Sequence, residues 1–330
     1  MLGALTELRG ISGYEHEVRT FITEQIEPHC DTLTTDSLGN LYAHQDGDGS
    51  HVCLLAHMDE VGLMVTGSDE KNGWLTFDTV GGIRDSLLPG TTVRVGPHGH
   101  AGVIGLPAVH LQSSTDRKKP LPKEKLRIDV GEAHPSIEIG DMVTFDTPFL
   151  RRDDTIYGKA FDDRIGCYCL IELLQERLGV PLTCVFTVQE EVGLRGASVV
   201  RSRIECDYAI ACEGTFALDH PSLSEEERMP RMGHGPAVTI ADRTLIAHTT
   251  VLEAIGCAAD ENDIPYQYKR PLAGGTDAGA FHIGGKGTPS GVIAAPCRYI
   301  HSPCAMAKWN DVIHMKELIG ATARYLAEGV

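Results

Sequence analysis

At 330 residues, with 42% hydrophobic and 23% charged residues, the chain can bury one large or two medium cores and has an ordinary globular composition. Its net charge of −17 argues against a nucleic-acid partner, which would have to be held through cationic contacts to phosphate, and leaves room for bound divalent cations. No window approaches the roughly 20 apolar residues of a membrane span, MLGALTELRG is no secretory leader, and ten cysteines lie mostly in apolar runs without a C-x-x-C, so a reduced, cytoplasmic protein is expected.

In chain order, Ser12-Gly13-Tyr14-Glu15 reads as a helix cap before HEVRTFITEQI, whose Val18, Phe21, Ile22 and Ile26 share a face. Thr32 to Asp36 and Asn40 to His44 alternate around Ser37-Leu38-Gly39, which predicts a hairpin. His51 to Ala56 is a short apolar strand ending in His57-Met58-Asp59-Glu60, and Val61 to Thr66 resumes strand character. From residue 68 to residue 154 the texture changes. Short β-like pieces (Trp74–Val80, Thr91–Val95, Gly102–Ile104, Met142–Phe145) are separated by Gly, Pro and Asp, and the stretch from Thr115 to Pro120 reads as a mobile loop. This predicts a small all-β, barrel-like domain at 68–154, inserted between the two parts, 1–67 and 155–330, of a larger domain.

Beyond Ile156 strands and helices alternate. Cys167 to Arg177, Ala197 to Ser202, Thr249 to Asn262 and Asp311 to Ala327 have helical periodicity, and Leu182 to Val188, Tyr208 to Cys212 and Val292 to Ala295 are apolar strands. The alternation predicts an α/β fold with a doubly wound, mixed sheet flanked by helices.

Five segments then share one layout, an apolar strand or turn that ends in side chains able to hold a metal. They are LLAHMDE (His57, Asp59), GKAFDDRIG (Asp162, Asp163), TVQEEVG (Glu190, Glu191), AIACEGT (Glu213) and CRYIHSP (His301). In an open α/β sheet the carboxyl ends of the strands form the ligand crevice. Two imidazoles and several carboxylates without a thiolate suit zinc, cobalt or manganese. Two-metal hydrolytic sites hold their ions about 3.5–4 Å apart and need a shared carboxylate, so one imidazole and one terminal carboxylate per ion plus a bridge would suffice. Adjacent residues on an extended segment point opposite ways, so Glu190 and Glu191 are expected to divide a metal role from a proton role, in an order the residues leave open.

Taken together, AHMDEVGLMV, YGKAFDDRIGC, TVQEEVGLRGA, GGTDAGAFH and CRYIHSP, in this order, resemble the tetrahedral (TET) aminopeptidases. These are co-catalytic metallopeptidases that include glutamyl and deblocking aminopeptidases, some once described as endoglucanases. The resemblance spans nearly the whole chain. It implies two divalent ions per subunit, zinc first and cobalt or manganese as alternatives. His57 would hold the first ion, Asp162 would bridge, and Glu191 and His301 would complete the second. Glu190 would be the general base, and Asp59 would accept the second ring N–H of His57. Many members carry Asp where this chain has Glu213, so Glu213 is expected to complete the first ion's ligands, with Asp219 as the alternative.

The implied reaction removes N-terminal residues from short peptides with a free amino terminus, through a metal-bridging hydroxide. The implied assembly, mediated by the inserted β domain, is a homo-oligomer of dimers arranged as a tetrahedral dodecamer. A metal-dependent deacylase of N-acylated amino acids or small amides is the alternative. A glycoside hydrolase would need only paired carboxylates, with no use for His57, Asp162 or His301. A metal-stabilised assembly protein would leave Glu190 without a purpose. The preferred N-terminal residue (acidic, basic or aliphatic) is not legible, because the loops that would read it cannot be placed from sequence.

Overall fold

A computed structural model describes residues 1–69, 72–114, 118–132, 136–270 and 272–329. Its strands are β1 (Thr32–Thr35), β2 (Leu41–Gln45), β3 (Val52–His57), β4 (Gly62–Asp69), β5 (Trp74–Val80), β6 (Thr92–Val95), β7 (His100–Gly105), β8 (Arg127–Asp129) and β9 (Met142–Phe145). Then come β10 (Leu150–Arg152), β11 (Thr155–Gly158), β12 (Leu182–Thr187), β13 (Tyr208–Phe216), β14 (Ala237–Thr239), β15 (Gln267–Lys269), β16 (Ser290–Cys297) and β17 (Ala305–Lys308). The helices are α1 (Leu2–Glu7), α2 (His16–Ile26), α3 (Phe161–Glu176), α4 (Arg195–Val200), α5 (Thr249–Glu261), α6 (Asp277–Phe281) and α7 (Trp309–Glu328).

Eight strands form one mixed sheet in the order β1-β2-β12-β3-β13-β16-β14-β15. Its centre is parallel, β12 with β3, β3 with β13 and β13 with β16, and antiparallel pairings of β12 with β2 and of β16 with β14 flank it. The central runs VCLLAH, LTCVFT and SGVIAAPC are buried at every position. The cause is burial of both faces, the usual state of a parallel sheet between helices. Val52, Leu54 and Ala56 pack in one cluster with Ile22, Leu170, Ile255 and Leu318 of α2, α3, α5 and α7. Cys53 and Leu55 pack on the other face with Val185, Val200 and Phe281. Each such buried aliphatic or aromatic side chain contributes about 1.5–3 kcal/mol.

The second body is a closed barrel, β4-β5-β8-β7-β6-β9, filled by Leu63, Val65, Leu75, Val93, Val95, Ile104, Ile128, Val143 and Phe145. Its strands run from Gly62 to Phe145, so the segment from Val61 to Thr66, which had been expected in the larger domain, contributes the barrel's first strand. After it, β10 pairs with β11, and β11 with β17. Of the stretch expected to be a mobile loop, residues 115–117 lie outside the described residues.

Two local expectations change. The N-cap of α2 is Glu15, without a side-chain cap bond, because the Ser12 hydroxyl is drawn away to donate to Asp59 instead. And α3 starts at Phe161, six residues before the predicted helix, with non-helical backbone at Asp162 and Asp163. The polar DDR triplet masks the helical periodicity there. Among the described residues no helix is long and apolar enough to cross a membrane.

Candidate active site

The site lies where the parallel strands end. His57 is the last residue of β3, and β13 pairs with β3 only as far as Ala211, opposite Leu55. From there β13 continues to Phe216 beside β16, and Glu213 lies two residues beyond the last pairing with β3, as His57 does on β3 itself. Asp162 enters from the irregular first turn of α3. Glu190 and Glu191 follow β12, and His301 comes from the loop between β16 and β17. The two glutamates do not sit on an extended segment as the sequence suggested. Gln189, at a φ of 55°, swings the chain out of the strand, and a turn closes with the Gly193 N–H donating to the Glu190 carbonyl at 2.9 Å.

Asp162 lies between the two imidazoles. One oxygen is 3.3 Å from His57 Nε2 and the other is 3.4 Å from His301 Nε2. On the first side Glu213 Oε2 is 3.7 Å from His57 Nε2, and on the second Glu191 Oε1 is 3.3 Å from His301 Nε2. Glu190 Oε2 is 4.0 Å from His57 Nε2. The neighbouring acids therefore serve different imidazoles. Asp219 stands apart, gripped by Arg298 at 2.6 and 2.8 Å and by the Met232 N–H at 3.1 Å. Asp163 is fully buried, and its oxygens accept the main-chain N–H groups of His57 at 3.1 Å and Gly166 at 2.9 Å. It underpins the end of β3, although it also lies within metal-holding reach of His57 and Glu213.

Asp59, 0% exposed, does more than the sequence suggested. Its carboxylate accepts the Glu190 and Glu191 N–H groups at 3.0 and 3.2 Å and the Ser12 hydroxyl. The nearest acceptor to His57 Nδ1 is the Asp59 main-chain oxygen at 3.0 Å, with the carboxylate at 3.5 Å. His301 Nδ1 lies 3.1 Å from the carbonyl of Gly82, a residue of the barrel segment. Each imidazole thus keeps Nε2 for the site, with Nδ1 held by a carbonyl.

A buried ion cluster behind Asp59 escaped the sequence reading. Lys159 Nζ donates to both oxygens of Glu60, at 2.6 and 2.8 Å, and to the Leu8 carbonyl at 2.8 Å. Arg164, 0% exposed, reaches the carbonyls of Met58 and Leu5 at 2.9 and 2.6 Å. The only sequence signal was a charge at Glu60 beside an apolar strand and cations flanking the DD pair. Nothing in that spacing says they meet. Asp277, in the GGTDAGAFH segment, is also fully buried and accepts the Thr187 hydroxyl.

The electrostatics describe a pocket in which buried carboxylates crowd two imidazoles. Burial pushes Glu191 up to about 7 despite the His301 imidazole, and it pushes Glu190 and Glu213 well above the carboxylate range. Burial also raises Asp277 to about 6. For the imidazoles burial works the other way, but the carboxylates outweigh it, lifting His301 to about 9 and His57 well above its ordinary value. The test of whether this donor set suits cations is what its oxygens lack. Among the described residues, Glu191 Oε1 and Glu213 Oε1 are buried without a hydrogen bond. Such oxygens are costly unless paired with a cation or a donor. With two imidazoles and a shared carboxylate between them, the residues fit a pair of divalent ions.

The model of the M42 glutamyl aminopeptidase family matches residues 39–318. A curated protein of Acetivibrio thermocellus, whose name places it provisionally among the aminopeptidases, is 37% identical over 326 residues, covering 97% of this chain and 96% of the relative. The lysyl aminopeptidase of Pyrococcus furiosus is 30% identical, covering 94% of this chain and 92% of its own. Among solved structures, the Pyrococcus horikoshii TET1 peptidase, described as assembling into a tetrahedron or a large octahedral shell, is similar with a TM-score of 0.86. It is 31% identical, and the match covers 100% of this chain and 98% of that one.

Proposed function

The chain belongs to the M42 glutamyl aminopeptidase family and is an aminopeptidase, and from that premise we propose that His57, Asp162, Glu191, Glu213 and His301 hold two divalent cations while Glu190 moves the proton. The observation that carries the reading is the Asp162 carboxylate set between two imidazoles at 3.3 and 3.4 Å. The donor set of nitrogens and carboxylate oxygens favours zinc, with cobalt or manganese as substitutes. When bound, such ions supply Lewis-acid polarisation of the scissile carbonyl and acidify a water at neutral pH.

The chain's own residues do the rest. The Glu190 carboxylate takes the proton of the attacking water and passes it to the leaving amine, so both roles fall to one group. It is free for this because each imidazole already has a different terminal carboxylate beside it. Asp59 holds the two main-chain amides that aim Glu190 and Glu191, which keeps the pair divided between the imidazoles. Substrates would be short peptides with a free amino terminus.

We assign assembly to the barrel, whose strands run from Gly62 to Phe145 rather than from the expected start at 68, and catalysis to the larger domain on either side of it. The segment after β7 exposes Val109 and Leu111 at 64% and 74%, and the similar TET1 peptidase assembles into shells. A homo-oligomer up to a tetrahedral dodecamer is the expected form. All ten cysteines are free thiols, which supports a cytoplasmic location.

Chelation tests the reading. Removal of divalent ions should abolish hydrolysis of aminoacyl p-nitroanilides, and added zinc or cobalt should restore it. Activity that survives exhaustive chelation would overturn the two-ion reading. Rapid attack on an N-acetylated peptide would favour the deacylase instead.

A further inference from the structure

Beyond Thr187, where β12 ends, four consecutive main-chain amides are each taken by a side chain from another part of the chain. The Val188 N–H donates to Asn40 Oδ1 at 3.0 Å and the Gln189 N–H to Glu15 Oε1 at 3.1 Å. Those of Glu190 and Glu191 donate to the two oxygens of Asp59 at 3.0 and 3.2 Å. The carbonyls of the same stretch are held within the turn. The Gly196, Arg195 and Gly193 N–H groups donate to the carbonyls of Val188, Gln189 and Glu190 at 3.0, 3.2 and 2.9 Å. Asp59 thus accounts for two of the amides, but not for the one at the bend. That is Gln189, whose φ of 55° is uncommon outside glycine and persists where the surroundings hold it. Its amide belongs to Glu15.

Glu15 forgoes its ordinary use to be there. It stands at the N-cap of α2, where a carboxylate usually accepts an N–H of the first helical turn, yet it makes no such bond. Instead Oε1 accepts both the Gln189 N–H and, at 2.7 Å, the Gly13 N–H of its own turn. The residue is 4% exposed, and burial, with the Asp59 charge nearby, raises it to about 7. Buried acids displaced in this way cluster at functional sites. The turn that bears Glu15 is itself fastened on two sides. The Ser12 hydroxyl donates to Asp59, and the Tyr14 hydroxyl donates to the Gly140 carbonyl in the barrel segment.

We propose that Glu15 is a positioning residue for the proton-moving group, fixing through the Gln189 amide the turn that presents the Glu190 carboxylate beside His57. The inference rests on the reading of Glu190 as proton carrier. Glu190 lines the cleft above the cluster, whereas Glu15 acts from behind it, through the main chain. Asp59 grips only the far side of the bend, so without Glu15 the Gln189 backbone is free to relax towards negative φ and carry Glu190 with it. A displacement of about 1 Å at a reacting group can cost on the order of 100-fold in rate. What the Gln189 amide needs is an acceptor at this reach. A neutral carbonyl oxygen at the same distance serves, and a carboxylate drawn back by one methylene does not.

The test sets reach against charge in the metal-loaded, full-length enzyme, with whichever aminoacyl p-nitroanilide the wild type cleaves fastest. Glu15→Asp keeps the charge but withdraws the oxygen. Its kcat should fall by about 10- to 100-fold, with KM unchanged and two ions per subunit still found by elemental analysis. Aspartate is also a favoured N-cap, so α2 should not suffer and the melting temperature should hold or rise. Glu15→Gln loses the charge but keeps the reach, and it should retain most of the wild-type kcat. The reverse order of the two variants would overturn the assignment. So would a lower melting temperature in Glu15→Asp with kcat intact, which marks a merely structural residue, or a fall in kcat matched by loss of an ion, which assigns the turn to the ligand Glu191. Inactivity of the wild type on every aminoacyl substrate, or full activity of Glu190→Gln, would instead overturn the underlying reading of Glu190.

Discussion

The two halves of the carboxylate–imidazole cluster are built to different standards. The His57 half is rooted in the sheet. Its imidazole ends a strand buried along its whole length, its ring is 1% exposed, and Asp59 beside it is sealed. The His301 half hangs from connections. Its imidazole sits on a loop, 34% of the side chain is exposed, and its Nδ1 anchor is a carbonyl borrowed from the barrel. Rigid, dry ligands gain most from a low dielectric, whereas exposed loop ligands yield to solvent and motion. The first half is thus the more enclosed part of the site, and the second is the more exposed.

Glu190 stands against the first half and should produce the largest effect. Glu190→Gln keeps size and hydrogen bonding but removes the basic oxygen. It is expected to lower kcat by about 10²- to 10⁴-fold while elemental analysis still finds two ions per subunit. Full activity, or loss of an ion, would move Glu190 out of the proton role. Next comes the support behind that half. Lys159→Met leaves the buried Glu60 carboxylate with the Arg164 guanidinium at 3.5 Å and the Gly10 N–H at 3.3 Å for compensation. A stability loss of about 3–5 kcal/mol is expected, measured by denaturant unfolding. Restoring much of it with the double change Lys159→Met plus Glu60→Leu would show that the unpaired charge, not lost packing, was the cause.

How much of this was legible in the sequence follows the same division. The sheet-borne part was readable because its signals are local. LLAH running into MDE, and TCVFT running into QEE, mark buried strands that end in polar residues, and those strands are β3 and β12. The loop-borne part was not. No pattern brings Gly82 next to His301, which are far apart in the chain and meet only once the barrel closes. Lys159, Glu60 and Arg164 escaped for the same reason, since ion pairing between distant segments leaves no periodicity. Short elements such as β8, β14, β15 and α6 were missed because three to five residues carry too little pattern.

The smallest expected effect is also the sharpest test of the contrast. Gly82 has no positive-φ requirement, so alanine is tolerated by the backbone, but its Cβ would sit 3.2 Å from His301 Nδ1. The ring must then give by a few tenths of an ångström, and its bond to the Gly82 carbonyl loosens with it. Loss of an outer partner of a metal-binding histidine typically costs about 10- to 100-fold in affinity. Gly82→Ala should therefore weaken one ion of the pair and spare the other, giving biphasic release in a chelator titration with the second phase unchanged from wild type. If both ions weakened together, the halves would be one rigid unit. If neither did, the barrel would be no part of the site, and its contribution would be confined to assembly. The selective outcome would mean that the inserted barrel, which the chain could have carried as a mere appendage, holds one of the two imidazoles in place.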